Sequence, residues 1–293
     1  MRLSFIVLLG LVPAALSGQA SPSFSKPLRT IDSIPAPESV AVGPDGAWYV
    51  SSFGRFDNGA DGAIYRVDPD RGTREVYARG LEDPCGVVFL GQALWVADRK
   101  GVYRIRGQKP ELVFPASSFP RPLHFLNDLA AGPGGILYVS DTGDSTASGR
   151  GAVFVLREGS RPSVVPGSDT VRAQSSANGL LLGAGDTLYV VGYRTGVLSV
   201  RDGRNTWREL SRGLGSPDGI DFAPGGTGFY VSDNVGGNLY FVPRSPGAAP
   251  ARLASGLKAP ADLIVDQKRR VLVVPENDGN RLSVYSLGNP DGR

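Results

Sequence analysis

The sequence predicts an all-β protein, a six-bladed β-propeller with four antiparallel strands in each blade. A short motif that leads into an apolar strand recurs six times, at intervals of 40 to 51 residues, and a repeat of this length is typical of propellers. No stretch shows a helical period, and the 40 glycines and 23 prolines fall between apolar runs, where they indicate tight turns. The six motifs are Pro37-Glu38-Ser39-Val40, Pro84-Cys85-Gly86-Val87, Leu126-Asn127-Asp128-Leu129, Ala177-Asn178-Gly179-Leu180, Pro217-Asp218-Gly219-Ile220 and Pro260-Ala261-Asp262-Leu263.

The fifth repeat shows the strands of one blade most clearly. Short β-rich runs separated by Gly, Pro and Asn are the pattern of β-hairpins, and four such runs in succession form a β-meander. The predicted strands of this repeat are 218–223, 228–232, 238–242 and 251–254. The other repeats follow the same plan, with second strands at 47–50, 93–96, 136–139, 187–190 and 271–274 and third strands at 63–67, 101–105, 152–155 and 281–285.

The sixth repeat is incomplete at its C-terminal end. Only residues 286–293 follow Tyr285, which is too few for a turn and a fourth strand. Residues 25–32 resemble an outermost strand and precede the first motif, so we expect them to complete the sixth blade. This closure removes an exposed sheet edge. Because no linker-like tract divides the repeats, residues 21–293 are predicted to form a single domain rather than two separate β-domains.

The first 20 residues are predicted to be a secretory signal peptide. Arg2 supplies a positive end, the run from Leu3 to Leu16 is almost wholly apolar, and small residues follow, with cleavage expected after Ser17 or Ala20. The alternative is an uncleaved membrane anchor, although the run is short for a span. We therefore expect a secreted or periplasmic protein with no membrane span in the mature chain.

Composition excludes several classes of partner and site. The net charge is +3, but the basic residues are scattered, the longest run being Lys268-Arg269-Arg270, which does not indicate nucleic-acid binding. With Cys85 as the only cysteine, no intramolecular disulfide can form, and with His124 as the only histidine a multi-His or multi-Cys zinc site is excluded. A small molecule is the expected binding partner.

Oxygen-bearing side chains occupy the second motif position in four of the six repeats. In a propeller, equivalent positions at the start of the innermost strands converge on the central axis, so we expect Glu38, Asn127, Asn178 and Asp218 to act together as metal ligands. Oxygen-only ligation with two negative charges favours Ca²⁺, with Mg²⁺, Mn²⁺ or Zn²⁺ as alternatives. The alternative explanation is local, because Asn-Gly and Asp-Gly also occur simply as turns.

The motifs beginning at Pro37, Leu126, Ala177 and Pro217, with the Tyr-Val strands that follow them, resemble those of the gluconolactonase/regucalcin family of six-bladed propellers. The resemblance covers essentially the whole mature chain. It implies that Glu38, Asn178 and Asp218 ligate a divalent metal and that Asn127 lies beside it, holding water or substrate. It also implies hydrolysis of sugar or other lactones, with Asp218 as the candidate general base.

The sequence departs from the family at one position that matters for the substrate. Sugar-lactone members usually carry an Arg two residues before the Asn that matches Asn127, and here that residue is Phe125. The loss of a guanidinium argues against an aldonolactone and suggests a less polar substrate. Phe125, Asn127, Cys85 and Tyr193 are the predicted substrate-binding residues.

Two further residues are candidates for chemistry near the axis. His124 is predicted in the loop before the third inner strand, where it could act as a general base near neutral pH; a packing role is the alternative. Cys85 occupies the axial position of the second blade, where a thiol is commonly just a small apolar group.

The sequence therefore predicts an exported, metal-dependent hydrolase that acts on a lactone or related ester at the propeller axis. Two alternatives stay open. One is a non-catalytic propeller of the NHL type that binds partners through its loops. The other is an enzyme like the strictosidine-synthase and arylesterase propellers, which the Pro-Glu-Ser of the first blade also resembles. These branches share an architecture but not a reaction.

Overall fold

The computed structural model describes Phe24 and residues 26–144, 151–170, 175–245 and 247–288. The predicted signal peptide, residues 1–20, lies outside the described residues, as does the stretch 145–150 of the loop after the second strand of the third blade.

The described residues form 24 β-strands and four single-turn 3₁₀-helices. The strands are β1 (Arg29–Asp32), β2 (Pro37–Val42), β3 (Trp48–Ser52), β4 (Gly62–Val67), β5 (Arg74–Leu81), β6 (Val87–Leu90), β7 (Ala93–Asp98), β8 (Gly101–Arg106), β9 (Lys109–Pro115), β10 (Leu126–Gly132), β11 (Ile136–Asp141), β12 (Ala152–Leu156), β13 (Ser163–Val164), β14 (Ala177–Leu182), β15 (Leu188–Gly192), β16 (Val197–Arg201), β17 (Trp207–Arg212), β18 (Pro217–Phe222), β19 (Gly228–Asp233), β20 (Asn238–Pro243), β21 (Ala251–Ser255), β22 (Ile264–Asp266), β23 (Val271–Glu276) and β24 (Arg281–Ser286). The 3₁₀-helices are Ala116–Ser118, Pro133–Gly135, Ala184–Asp186 and Pro224–Gly226.

The strands pair into six antiparallel sheets of four strands each, which confirms the predicted six-bladed β-propeller. Five blades take their strands in sequence order, from β2–β5 through β18–β21. The innermost strands β2, β6, β10, β14, β18 and β22 contact one another in succession, and β22 contacts β2 again, so these six strands surround the central axis.

The sixth blade joins the two ends of the described chain. Its sheet has the order β1-β24-β23-β22, and β1 pairs antiparallel with β24, with Ile31 opposite Leu282. This is the closure that the sequence predicts, with the strand at Arg29–Asp32 inside the expected range 25–32. The N-terminal strand thus supplies the fourth strand of the sixth sheet, so that every blade has the same four-stranded form.

The core is divided into six apolar clusters, one between each pair of neighbouring blades. The cluster between the sixth and first blades contains Ile31 and Ile34 together with Trp48, whose side chain is fully buried. The indole Nε1 of Trp48 donates a hydrogen bond of 2.9 Å to Asp266 in the next blade. Alternating apolar residues of the strands therefore both pack the blades together and hold the ring closed.

Most strands with predicted bounds are observed to be one or two residues longer. Strands β5, β9, β13 and β16 were expected only from the common four-strand plan, without bounds of their own. The polar and charged ends of these strands carry no apolar signal, yet the backbone pairing continues through them. Among the described residues, no helix is long and apolar enough to cross a membrane.

Candidate active site

Four of the six inner strands are interrupted by a β-bulge at the predicted axial position. In the first blade Pro37 pairs with Ser52 but Val40 pairs with Val50, so that Glu38 and Ser39 lie in the bulge. The same shift of register occurs at Asn127-Asp128, Asn178-Gly179 and Asp218-Gly219. A bulge redirects side chains out of the regular strand pattern, and here it occurs in the four blades that carry an oxygen donor.

Serine side chains of the second strands support three of these bulges. The hydroxyl oxygens of Ser51, Ser140 and Ser232 accept the backbone N–H groups of Ser39, Asp128 and Gly219, at 2.9, 2.9 and 2.8 Å. The N–H group that the bulge removes from the β-ladder is thereby satisfied. Backbone groups left unpaired in a buried position would destabilise the structure, so these serines help to fix the position of the neighbouring donors.

Glycine follows the axial donor where the next blade approaches most closely. A Cβ atom on Gly179 would lie 2.2 Å from the carbonyl oxygen of Asp218, and one on Gly219 would lie 2.4 Å from the backbone nitrogen of Leu263. No other residue fits in these places. The Asn-Gly and Asp-Gly pairs are therefore required by the close contact of inner strands around the axis.

The bulges bring the four predicted ligands to one cavity of about 600 Å³ at one end of the axis. Glu38, Asn127, Asn178 and Asp218 all line this cavity, which we call the upper cavity. The four side chains come from the first, third, fourth and fifth blades and are at most 6% exposed. Residues as far apart in sequence as 38 and 218 thus share one site.

Each of the four side chains has a buried oxygen without a hydrogen-bond partner in the described part of the chain. These atoms are Oε2 of Glu38, Oδ1 of Asn127, Oδ1 of Asn178 and Oδ1 of Asp218. Buried polar atoms in folded proteins are nearly always paired, and an exception calls for an explanation such as an ion or ligand. The four residues that carry these unpaired oxygens line the same cavity and could together hold a cation.

The raised pKa values of the two carboxyl groups are also what a cation site without its cation would show. Burial, and then repulsion from Asp218, Asp262 and Asp128, raises the pKa of Glu38 well above its usual range. Burial, and then repulsion from Asp262, does the same to the pKa of Asp218. A bound cation would offset this cost of ionising two buried carboxylates.

The donor set fits a hard divalent cation. It consists only of carboxylate and amide oxygens and carries two negative charges, which suits Ca²⁺ and the smaller divalent ions that take oxygen ligands. Across the described residues, no group of three or more His, Cys, Asp or Glu side chains is arranged to hold a metal. The candidate site contains only two side chains of these four types, Glu38 and Asp218, and its other two donors are the amides of Asn127 and Asn178.

The structure separates the remaining predicted residues into two groups. Phe125 and Tyr193 line the upper cavity, as do Asn234 and Asn277. His124 and Cys85 are absent from its lining.

The carboxylate of Asp141 accepts the backbone N–H groups of both His124 and Phe125, at 3.3 and 2.9 Å. Phe125 lines the cavity, whereas His124 lies at a bend and is exposed. Cys85 is fully buried, its thiol directed to the carbonyl oxygen of Asp83 at 3.4 Å, and burial raises the pKa of the thiol well above its usual range.

Several lining residues lie outside the motifs that sequence reasoning used. Phe53 and Phe56 come from the loop after β3, Thr142 from the loop after β11, and Arg194 from the turn after β15. The guanidinium of Arg194 donates to the carbonyl oxygen of Thr142 at 2.8 Å. Their common signal is position, because each follows the second strand of its blade by one to four residues.

A second cavity, of about 580 Å³, lies at the opposite end of the inner strands; we call it the lower cavity. It is lined by apolar residues such as Val42 and Leu182 and by the carboxylates Asp128, Asp221 and Asp262. Two backbone N–H groups donate to each of Asp128 and Asp221, at 2.6 to 2.7 Å, and the hydroxyl of Ser39 donates to Asp262 at 2.6 Å.

Comparison with known proteins finds similarity in structure only. No family model matches the sequence, and no curated protein matches it. A gluconolactonase from Xanthomonas campestris superposes with a TM-score of 0.69 at 19% identity, over 87% of this chain and 87% of that chain. This chain has the fold of that gluconolactonase.

A candidate gluconolactonase solved by a structural genomics consortium gives a TM-score of 0.68 at 17% identity, over 88% of this chain and 91% of that chain. These structural neighbours agree with the family resemblance in the motifs. At such identities the likeness establishes the common fold, and the reaction has to be argued from the site.

Proposed function

We propose that the chain is a divalent-cation-dependent hydrolase of lactones or related esters, with its active site in the upper cavity. The observation that carries the proposal is the set of four buried oxygens, on Glu38, Asn127, Asn178 and Asp218, that line one cavity without hydrogen-bond partners. Gluconolactonase structures with the same fold support the choice of lactones as the substrate class.

In this proposal Glu38, Asn178 and Asp218 hold the cation, which is Ca²⁺, and Asn127 lies beside it. Ca²⁺ takes six to eight oxygens, so backbone carbonyls, waters or substrate would complete the set. The chemistry that such a cation supplies is polarisation of a carbonyl oxygen and a lowered pKa of water.

The residues of the chain have separate roles in hydrolysis. Asn127 orients the substrate or the attacking water through its buried amide. Asp218 accepts a proton from that water as the water oxygen bonds to the carbonyl carbon. The bond between this carbon and the ring oxygen then breaks, the ring oxygen takes up the proton that Asp218 accepted, and the product is a hydroxy acid. His124, which is exposed and outside the lining, has no role in this scheme.

A cation titration combined with a substrate panel tests the proposal. Protein treated with a chelator would be titrated with Ca²⁺, Mg²⁺, Mn²⁺ and Zn²⁺ while its thermal unfolding is followed, and then assayed on lactones and aryl esters. We expect Ca²⁺ to raise the melting temperature and to restore hydrolysis. Stabilisation by Ca²⁺ without turnover of any substrate would instead favour a binding module.

A matched pair of variants locates the site. Asp218→Asn should abolish both the Ca²⁺-induced stabilisation and the hydrolysis. Asp186→Asn, an equivalent change on an exposed 3₁₀ turn, should retain both. Full activity and full stabilisation in Asp218→Asn would overturn the axial site.

We also propose that the enzyme works outside the cytoplasm, on the basis of the apolar segment at residues 3–16. The N-terminal sequence of exported protein should begin after Ser17 or Ala20. Retention of the whole chain in the cytoplasm would contradict this proposal.

A further inference from the structure

One wall of the upper cavity is made of aromatic rings. Phe53 and Phe56 pack edge to face, with ring centroids 5.5 Å apart, and Phe56 also contacts Phe125, with centroids 5.8 Å apart. All three residues line the cavity. We call these three rings the aromatic wall. They come from two blades, since Phe53 and Phe56 follow β3 and Phe125 precedes β10.

Phe56 is exposed over 57% of its surface, one of only four large apolar side chains with substantial exposure among the described residues. The other three are Leu28, Leu112 and Val235, none of which lines the upper cavity. A large apolar surface left open at a cavity containing convergent polar groups is the usual composition of a site for a small organic ligand.

The loop that carries Phe56 is held in place by several polar contacts. Within the loop, the carboxylate of Asp61 accepts the backbone N–H of Arg55 at 3.2 Å. The guanidinium of Arg99 forms ion pairs with Asp57 at 2.9 Å and with Asp83 at 2.8 Å, and it lies 5.6 Å from the centre of the Phe56 ring. The loop therefore presents Phe56 to the cavity before a ligand arrives, which reduces the entropy lost on binding.

The opposite side of the cavity is polar. Tyr193 donates a hydrogen bond from its hydroxyl to Oδ1 of Asn234 at 3.0 Å, and both residues line the cavity together with Arg194. The cation ligands lie between the two sides. A bound substrate would therefore place its carbonyl group near Asn127 and Asp218, and one face of the rest of the molecule would lie against the aromatic wall.

The aromatic wall distinguishes apolar from polyhydroxylated substrates because it offers no hydrogen-bonding group. Its three side chains contain no hydrogen-bond donor or acceptor, so each hydroxyl of a sugar lactone that faced the wall would give up its hydrogen bonds with water and gain none. A flat apolar ring would instead exchange water for contact with aromatic carbon.

Resting on the proposed lactone or ester hydrolysis, we infer that the preferred substrate carries an aromatic or similarly flat apolar group and that Phe56 and Phe125 bind this group. The wall is thus a specificity determinant of the same site. Polyhydroxylated lactones are expected to be poor substrates.

Three lactones with the same six-membered ring test the inference: δ-valerolactone, its derivative with a phenyl substituent on a ring carbon, and glucono-δ-lactone. We expect kcat/KM for the phenyl derivative to be at least ~10-fold higher than for δ-valerolactone, which is the size of effect typical of an apolar subsite. We expect glucono-δ-lactone to be the poorest of the three.

Phe56→Ser should raise KM for the phenyl derivative by about 10-fold, with little change in kcat, because only binding of the apolar group is lost. Leu112→Ser, on the outer strand β9, removes a comparably exposed side chain and should change neither constant. Thermal unfolding of both variants would verify that they are folded.

The outcomes distinguish this inference from the proposed function. A wild-type preference for glucono-δ-lactone, or a phenyl preference that survives in Phe56→Ser, would overturn the inference and leave lactone hydrolysis in place. Failure to hydrolyse any of these lactones or any ester would overturn the proposed function, and the inference with it.

Discussion

Both ends of the central channel contain buried carboxylates, but they differ in whether the carboxylate oxygens are hydrogen-bonded. At the upper cavity, buried oxygens of Glu38 and Asp218 lack hydrogen-bond partners in the described part of the chain. At the lower cavity, Asp128 and Asp221 each accept two backbone N–H groups. Burial of a carboxylate therefore does not by itself mark a functional site. Pairing distinguishes the two, since a satisfied carboxylate holds strands together and an unsatisfied one is available to a ligand.

The lower carboxylates connect neighbouring blades. One oxygen of Asp128 in the third blade accepts the N–H of Leu180 in the fourth, and one oxygen of Asp221 in the fifth accepts the N–H of Val265 in the sixth. These bonds join inner strands that the β-ladders do not connect. The lower end of the channel therefore has a structural role.

The largest effect is expected from Glu38→Gln at the upper end. Loss of this charge should weaken Ca²⁺ binding and lower kcat/KM about 100-fold or more, since the group acts on the reacting centre. The cation-free variant should be at least as stable as the wild type, because the change removes a buried charge that has no counter-charge. Rates and urea unfolding without cation measure the two effects.

Glu75→Gln, on the exposed strand β5, is the control for Glu38→Gln and should retain activity and Ca²⁺ binding. A marked loss of stability in the cation-free Glu38→Gln protein would show that Glu38 is a structural partner like the lower carboxylates, and the contrast between the two ends would fail.

An intermediate effect is expected from Asp221→Asn at the lower end. The amide can accept only one of the two N–H groups that Asp221 binds, so one buried donor loses its partner. We expect a loss of about 1–3 kcal/mol in the free energy of unfolding, measured with urea at pH 5. The Ca²⁺-induced rise in melting temperature should persist. Loss of that rise with stability unchanged would place Asp221 in the cation site.

The smallest effect is expected in how the difference in unfolding free energy between the wild type and Asp221→Asn changes with pH. Burial raises the pKa of Asp221 to about 6 in spite of the two backbone hydrogen bonds, which lower it. The protonated carboxyl is thus favoured in the folded state, and its stabilising contribution is fully present below the unfolded pKa of about 3.9 and is lost as the pH rises through about 6. The wild type should therefore exceed Asp221→Asn most at acid pH.

Urea unfolding of the cation-free wild type and Asp221→Asn between pH 3.5 and 8 checks this dependence. A stability difference that widened with rising pH would show that the ionised carboxylate is the favoured form, and that the two N–H bonds outweigh the cost of burial.

The repeated motif was sufficient to predict the fold and four of the residues that line the upper cavity. A strand start that recurs every 40 to 51 residues places equivalent residues at equivalent points of the ring, so Glu38, Asn178 and Asp218 could be assigned to one axis although no two are close in sequence. The Asn-Gly and Asp-Gly pairs are not simple turns. They form bulges in the inner strands, where neighbouring blades approach Gly179 and Gly219 closely.

His124 and Cys85 show where the sequence was insufficient. Cys85 occupies an axial position and His124 lies three residues before one, yet neither lines the cavity. Each residue also has a contact outside its motif: the carboxylate of Asp141 accepts the backbone N–H of His124, and the thiol of Cys85 is directed to the carbonyl oxygen of Asp83. A motif gives the position of a residue along the strand but not the side to which it points.

The repeat, the closure of the ring by β1 and the axial positions of Glu38, Asn127, Asn178 and Asp218 could be predicted from the sequence, because they depend on a period that recurs in every blade. Only the tertiary structure decided which carboxylates are satisfied and which rings meet at the cavity. Asp128 and Asp221 each find one of their two partners in the next blade, and Phe56 contacts Phe125 of another blade. The physical reason is that hydrogen bonds and ring contacts between blades join residues far apart in sequence, whereas the strand pattern is local.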